Sequence, residues 1–257
     1  CMNTESETII HVESLTVAYE DTVVIDNISF EVRKGEVFVI LGGSGCGKST
    51  LLKQMIGLYS PAAGRILIDG QDIVSAEGDE RLRILRKIGV MYQSSALFGS
   101  MALFENVRLP LEEFTNLNSA AMDLIVLMKL KLVGLKGFEN HMPSELSGGM
   151  QKRAAIARAM VLDPQILFLD EPSAGLDPIT SAELDQLIIS LAHNLKITFV
   201  IVTHELPSIY SIADRVIMLD KRVKKIVADG RPQDLRDKSD NQWVRQFFKR
   251  EVTSNVS

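Results

Sequence analysis

Five consecutive apolar residues, Val37-Phe38-Val39-Ile40-Leu41, break into Gly42-Gly43-Ser44-Gly45-Cys46-Gly47-Lys48-Ser49. From Ser49 to Ile56, Leu51, Leu52, Met55 and Ile56 fall on one helical face, and Gly57 follows at the C-terminal end. A strand apolar on both faces belongs inside a helix-covered sheet. A helix leaving a glycine-rich turn aims its free N–H groups back at the end of that strand. Strand, loop and helix together therefore make an anion cradle, whereas a glycine-rich turn alone would be only a turn. Glycines let the backbone N–H groups converge on phosphate oxygens, Lys48 reaches the β- and γ-phosphates, and the Ser49 hydroxyl ligates Mg²⁺. Residues Gly42, Gly43, Ser44, Gly45, Cys46, Gly47, Lys48, Ser49 and Thr50 are the candidate nucleotide contacts.

The rest of the chain supplies the frame for this unit. Residues 8 to 40 carry β-type runs broken at Lys34-Gly35, and two more strands are expected around Ile66-Leu67-Ile68 and Gly89-Val90-Met91-Tyr92. From about Ser94 to Leu162 helical signals dominate, with helices over Ala120 to Leu130 and Gly148 to Leu162. The parallel-sheet pattern then returns: a strand at Ile166–Asp170, a helix at Pro178–Leu195 and a strand at Ile197–Thr203. Asp177 is placed to cap that helix, with Pro178 at its first position. The expected fold class is α/β: a P-loop NTPase core with a parallel sheet, an N-terminal antiparallel β subdomain and an inserted α-helical subdomain. The expected segments are the first part of the core at 8–93, a helical subdomain at 94–163, the second part of the core at 164–237, and a tail at 238–257. In the tail, Trp243, Val244, Phe247 and Phe248 have the spacing of a short amphipathic helix seeking a surface.

Composition narrows the function classes. A net charge of -5 gives no reason to expect a nucleic-acid surface. The densest basic tract, Lys221-Arg222-Val223-Lys224-Lys225, lies between apolar strand-like segments and reads as a solvated hairpin. Of the two cysteines, Cys46 sits in the phosphate loop, where a disulfide would obstruct a nucleotide, and Cys1 precedes Met2 and reads as an addition ahead of the natural start. No apolar run approaches the ~18 residues needed to cross a bilayer; the longest, Ile197 to Val202, reads as a buried strand. A cytosolic protein is expected unless a partner tethers it.

Further residues carry chemistry. Asp170 ends a buried strand, where a carboxylate can hold the water shell of Mg²⁺, and Glu171 is suited to take a proton from an attacking water. Elsewhere the same pair would be an ordinary acidic strand end before Pro172. Gln93 and His204 each follow a core strand at the end where a doubly wound sheet places its ligand. Tyr19 precedes the phosphate-loop strand and is an aromatic able to stack on a base. In Leu146-Ser147-Gly148-Gly149-Met150-Gln151, Ser147 caps a helix whose first residues are bare backbone, a second anion-binding helix terminus. One phosphate loop already cradles the triphosphate, so a second such site serves another chain.

The order of these features resembles the ATPase subunit of ATP-binding cassette (ABC) transporters over nearly the whole chain. The resemblance implies ATP and Mg²⁺ as ligands, with Tyr19 on adenine, Gln93 sensing γ-phosphate and Mg²⁺, and Asp170 at the metal. It makes Glu171 the general base, Ser173 to Asp177 the D-loop, and His204 the switch histidine at the γ-phosphate. Ser147, Gly148, Gly149 and Gln151 then form a signature that closes over ATP held by a second copy of the chain, in a head-to-tail dimer. Gln93 to Phe98, Phe104 to Val107 with Pro110-Leu111, Met142 to Glu145, Asp177 to Thr180 and Ser211 to Asp214 resemble the ATPases of the Mla phospholipid transport group. That likeness implies an integral membrane permease, a periplasmic MCE-domain lipid carrier, and a station on the cytoplasmic face of the bacterial inner membrane. It leaves room for a small cytosolic regulator. Leu97, Phe98, Met101, Leu103 and Phe104 are expected to form the groove that meets the permease. The alternatives are another bacterial ABC importer or exporter, for amino acids for instance, and a soluble non-transport ABC ATPase. The latter usually carries two cassettes or a long coiled coil before the signature, and this chain has neither.

Overall fold

The computed structural model describes residues 7–19 and 22–250, without the Tyr19 side chain. Cys1 and the end of the tail lie outside the described residues. Strand β1 (Thr8–Tyr19) pairs antiparallel with β2 (Thr22–Arg33) and β4 (Ala63–Ile68), and β5 (Gln71–Asp72) closes the sheet in the order β2-β1-β4-β5.

The larger sheet contains β3 (Val37–Gly42), β6 (Ile88–Met91), β7 (Ile166–Asp170), β8 (Thr198–Val202), β9 (Arg215–Asp220) and β10 (Lys225–Gly230). Its order is β10-β9-β3-β8-β7-β6, with every pairing parallel except that of β10 with β9. Every residue of β3 and β8 is buried, as continuous apolar strands in a sheet covered on both faces must be. The pleat divides them between two cores. Val37, Val39, Leu41, Phe199 and Ile201 face the helices, whereas Phe38, Ile40, Val200 and Val202 face the antiparallel sheet and the loop helix.

Helix α1 (Lys48–Met55) leaves the phosphate loop, and α2 (Gly78–Leu85) precedes β6. Between β6 and β7 lie α3 (Leu103–Phe114), α4 (Ser119–Leu132) and α5 (Gly148–Ala159), the expected helical insertion. Helix α5 stops three residues short of the expected Leu162: Met160 leaves helical geometry, Asp163 takes a φ of 52°, and Pro164 forbids continuation. Helix α6 (Pro178–Leu195) runs as expected, and Asp177 Oδ1 accepts from the Ile179 and Thr180 N–H groups at 3.0 and 3.1 Å. Helices α7 (Leu206–Ile212) and α8 (Pro232–Lys238), like β5, are too short to have left a periodic signal.

Residues 221–225 form the exposed hairpin between β9 and β10. The tail helix, α9 (Gln242–Lys249), finds its surface on its own chain. Val244 and Phe248 are buried, the Tyr210 hydroxyl donates to the Phe248 carbonyl at 3.0 Å, and the two rings meet edge to face at 6.0 Å. No helix among the described residues is long and apolar enough to cross a membrane.

The topology gathers the candidate residues. Ile40 of β3 is level with Val202 of β8, Val202 with Asp170 of β7, and Leu169 with Met91 of β6. The phosphate loop, His204, Glu171 and Gln93 therefore all leave the same edge of one parallel sheet, where ligands of such sheets sit.

Candidate active site

The phosphate loop is shaped by what has no room beside it. Gly42 has φ of 152°, and a Cβ there would lie 2.5 Å from the Leu219 carbonyl oxygen and 2.6 Å from Cys46 Sγ. Gly47, at φ of 97°, turns the chain into α1 and packs on Val24 and Ile25. Lys48 Nζ donates to the carbonyls of Gly42 and Gly43 at 2.9 and 3.2 Å, which folds the ammonium across the loop. Cys46 is a buried free thiol whose pKa burial pushes up, so it acts as a small packing group.

Two acids face this loop. Ser49 Oγ and Asp170 Oδ1 lie 3.4 Å apart, at the meeting of α1 and β7. Burial first, and the neighbouring Glu171 second, raise the Asp170 pKa; Ser49, Lys53 and Lys48 oppose the rise. Glu171 holds φ of 47°, a left-handed conformation uncommon for any residue other than glycine. Its N–H is fixed to the Val202 carbonyl at 2.8 Å. This swings the side chain away from Asp170 and toward His204, whose Nδ1 lies 2.8 Å from Glu171 Oε1. The other oxygen, Oε2, is buried with no hydrogen-bond partner. A buried carboxylate oxygen left this way is costly unless a ligand completes it.

The Gln93 side chain is exposed at the same edge, while its carbonyl accepts from Lys152 Nζ of α5. Lys152 is buried, and burial lowers its pKa while Asp170 and Glu171 act to raise it. Beyond Gln93, Arg158 donates to the Ser95 carbonyl at 3.0 Å. Asn106, fully buried, donates to the Met101 carbonyl at 2.9 Å and accepts from the Phe98 N–H at 2.8 Å. The sequence reading assigned no role to Lys152, Arg158 or Asn106. Asn106 stands within Phe104-Glu105-Asn106-Val107, and a polar residue amid Phe104, Val107 and Leu111 is the signal available there.

The segment Ser147–Gly149 lies elsewhere. Ser147 caps α5, its Oγ accepting from the Met150 N–H at 3.3 Å, and Gln151 Nε2 donates to the Pro143 carbonyl at 2.9 Å. A Cβ on Gly149 would be 2.4 Å from Thr180 Cγ2, and one on Gly148 3.4 Å from Leu176. A small cavity here is lined by Phe138, Met150, Arg153, Thr180 and Glu183 among others, and by no residue of the phosphate loop. Asp177 spends both oxygens within its own chain, Oδ2 accepting from the Thr180 hydroxyl at 2.5 Å. The structure thus brings together Lys48, Ser49, Asp170, Glu171 and His204, and leaves the signature residues apart from them.

The apolar groove beside this edge, of about 410 Å³, corrects one expectation. Of Leu97, Phe98, Met101, Leu103 and Phe104, only Phe98 (49% exposed) lines it, and Leu103 is in the core. The other walls come from Leu82 and Leu85 of α2 and Leu109, Pro110 and Phe114 of α3. On α3 the reason is helical phase: Leu103, Val107 and Leu111 turn inward, while Leu109, Pro110 and Phe114 on another face line the groove.

The residues present fit a magnesium nucleotide: a loop with no room for a Cβ at Gly42 or Gly47, a hydroxyl beside a carboxylate, and a carboxylate with one oxygen held by a histidine and the other left without a partner. Comparison with known proteins agrees. The family described as ABC transporter matches residues 25–174. This chain belongs to the ABC transporter family. Its place there is as the ATP-hydrolysing cassette, with the parallel core, antiparallel sheet and inserted helices of that fold. An ABC cassette named as the intermembrane phospholipid transport system ATP-binding protein MlaF of Haemophilus influenzae is 41% identical over 98% of this chain and 94% of its own length. The protein of that name from Escherichia coli K12 is 44% identical over 88% of this chain and 82% of its own. A Mycobacterium leprae protein named as probable ribonucleotide transport ATP-binding protein mkl is also 44% identical, over 93% of this chain and 68% of its own. Among solved structures, cbiO1 from Clostridium perfringens, part of an ABC transporter complex, superposes with a TM-score of 0.83 at 31% identity, covering 90% of this chain and 92% of that one. The ATP-binding cassette MJ0796, solved as a dimer bound to ADP and Pi, gives 0.78 at 31% identity, covering 86% and 98%.

Proposed function

We propose that the chain hydrolyses ATP–Mg²⁺ as a head-to-tail dimer and drives a separate permease that moves phospholipid between the inner and outer bacterial membranes. The observation that carries the catalytic part is the linked set Ser49–Asp170 and Glu171–His204 beside the phosphate loop. Gly42 to Thr50 hold the triphosphate, with Lys48 on its outer oxygens and Tyr19 against the base. Ser49, Asp170 and Gln93 hold the metal, which when bound neutralises phosphate charge. His204 anchors Glu171 through Oε1, so Oε2 is left to take the proton of the attacking water. Lys48 and His204 supply fixed positive or donor character where charge builds up on the transferring phosphoryl group. Nothing covalent is required of the protein; positioning supplies the rate.

Ser147, Gly148, Gly149 and Gln151 act on the ATP of the second copy. The phospholipid reading is favoured by the near end-to-end likeness to MlaF, against the partial coverage of mkl. The groove at Phe98, Leu109 and Phe114 receives the permease, on the cytoplasmic face of the inner membrane. A periplasmic MCE-domain carrier completes the assembly, with room for a small cytosolic regulator. Isolating the chain from its native membrane tests this reading. We expect a co-purifying integral membrane subunit, bound phospholipid and ATPase activity. A permease carrying an amino acid or nucleotide and no lipid would refute the cargo, and absence of ATPase activity would refute the enzyme.

A further inference from the structure

The first turns of helix α5 have two different duties under the reading above, on which this inference rests. Its N-terminus, Ser147 to Gly149, serves the partner's nucleotide. One turn further on, Lys152 turns back into the chain's own site. Its side chain is 6% exposed, and Nζ donates to the carbonyl of Gln93, the residue whose amide faces this chain's own nucleotide. An ammonium removed from water requires such a partner, and a main-chain carbonyl is a fixed one.

The segment that Lys152 holds does not hold itself. Ser95 and Ala96 both have positive φ, 62° and 49°, a conformation neither residue prefers. It is kept there from outside. Arg158, also on α5, holds the Ser95 carbonyl, and Asn106 ties together Phe98, Met101 and Ala102. These two clamps act downstream of Gln93. Of these three, the Lys152 bond is the one that reaches Gln93 itself, so the angle of α5 and the placement of the Gln93 amide move together.

We infer that Lys152 is a positioning residue that ties Gln93 at one nucleotide to the signature end of α5 at the other, and so couples the two composite sites of the dimer. It touches neither nucleotide, and it acts through the Gln93 backbone.

The test uses the full-length chain. ATP hydrolysis is followed over ATP concentration for wild type, Lys152→Met, Lys152→Gln, Gln93→Ala and the double variant Gln93→Ala/Lys152→Met. ATP affinity and melting temperature are measured alongside. We expect K152M to lower kcat about tenfold or more, as misplaced catalytic groups do. The Hill coefficient should fall from near two toward about one, since its ceiling is the number of coupled sites. ATP affinity should stay within about threefold, a change of well under one decade. K152Q, whose amide can still donate to the carbonyl, should recover most of the Hill coefficient. In the Q93A background K152M should add little, the non-additivity expected when one residue acts through another. Wild-type kcat and Hill coefficient in K152M would overturn the inference. So would full additivity with Q93A, which would mean that Lys152 serves packing alone. If K152M does not fold, Lys152→Ala takes its place: a Hill coefficient that falls toward one supports the inference, and a wild-type Hill coefficient overturns it. A wild-type chain that hydrolyses no ATP would instead refute the proposed function.

Discussion

The phosphate-loop end and the signature end of this molecule are both helix N-termini with glycines, yet they are built differently. At the loop, bonds run between elements: Lys48 back to β3, Ser49 to Asp170 of β7, and Glu171 to His204 beyond β8. At the signature, Ser147 caps only its own helix, and the neighbours of Gly149 are Thr180 and the side chains around it. A site completed within one chain carries cross-element bonds and an orphaned oxygen waiting for substrate. The contrast supports the proposal that the second anion terminus acts on the nucleotide of another chain.

Glu171→Gln should give the largest effect. Hydrolysis should fall by about a hundredfold or more, as for loss of a general base, while ATP binding persists, because Oε1 can still meet His204. Phosphate release and nucleotide titration check both halves. Retained wild-type turnover would remove Glu171 from the chemistry and blur the distinction between the two ends.

Next come the paired glycines. Gly42→Ala pushes a methyl against the fixed Leu219 carbonyl, and Gly149→Ala pushes one against the Thr180 methyl. Each should cost about 1–3 kcal/mol by overpacking. Gly42→Ala should also abolish ATP binding, whereas Gly149→Ala should spare the affinity of the lone subunit and recover stability when combined with Thr180→Ser. Thermal melts with and without ATP separate the two. Equal loss of affinity would mean that both glycines belong to one site.

The smallest effect concerns Asp185, buried on α6 under the D-loop, whose pKa burial raises to about 6 against the help of Ser208. The folded chain therefore binds this proton more tightly than the unfolded chain, and stability falls as pH rises from about 4 through 6. Asp185→Asn should raise the melting temperature at pH 8 by a few degrees, from roughly 2 kcal/mol. At pH 5 the gain should shrink. A gain that grew toward acid pH would contradict the sign.

The sequence made the loop-end chemistry legible because it is local: strand, glycines, Lys48 and Ser49 lie between Val37 and Ser49, and Asp170-Glu171 closes an unbroken apolar run. The signature was legible as a capped helix start. What escaped was side chain to backbone and far apart in sequence. Lys152 meets a carbonyl 59 positions away, and Arg158 one 63 away, with no periodicity to announce either. Of Leu97, Phe98, Met101, Leu103 and Phe104, only Phe98 lines the groove, since composition names apolar residues without the rotation of α3 that buries Leu103. The docking of α9 on Tyr210 escaped for the same reason: an amphipathic face does not name its partner.

The central claim is that the signature finishes another chain's site, and one measurement addresses it directly. In the Glu171→Gln background, Ser147→Arg is compared with Ser147 intact, by ATP titration at high dilution and by light-scattering mass at high concentration with ATP. The account predicts equal affinity in the dilute chains, with the mass rising from one chain to two only when Ser147 is intact. Loss of ATP affinity in the dilute Ser147→Arg chain, or an undiminished dimer, would contradict it.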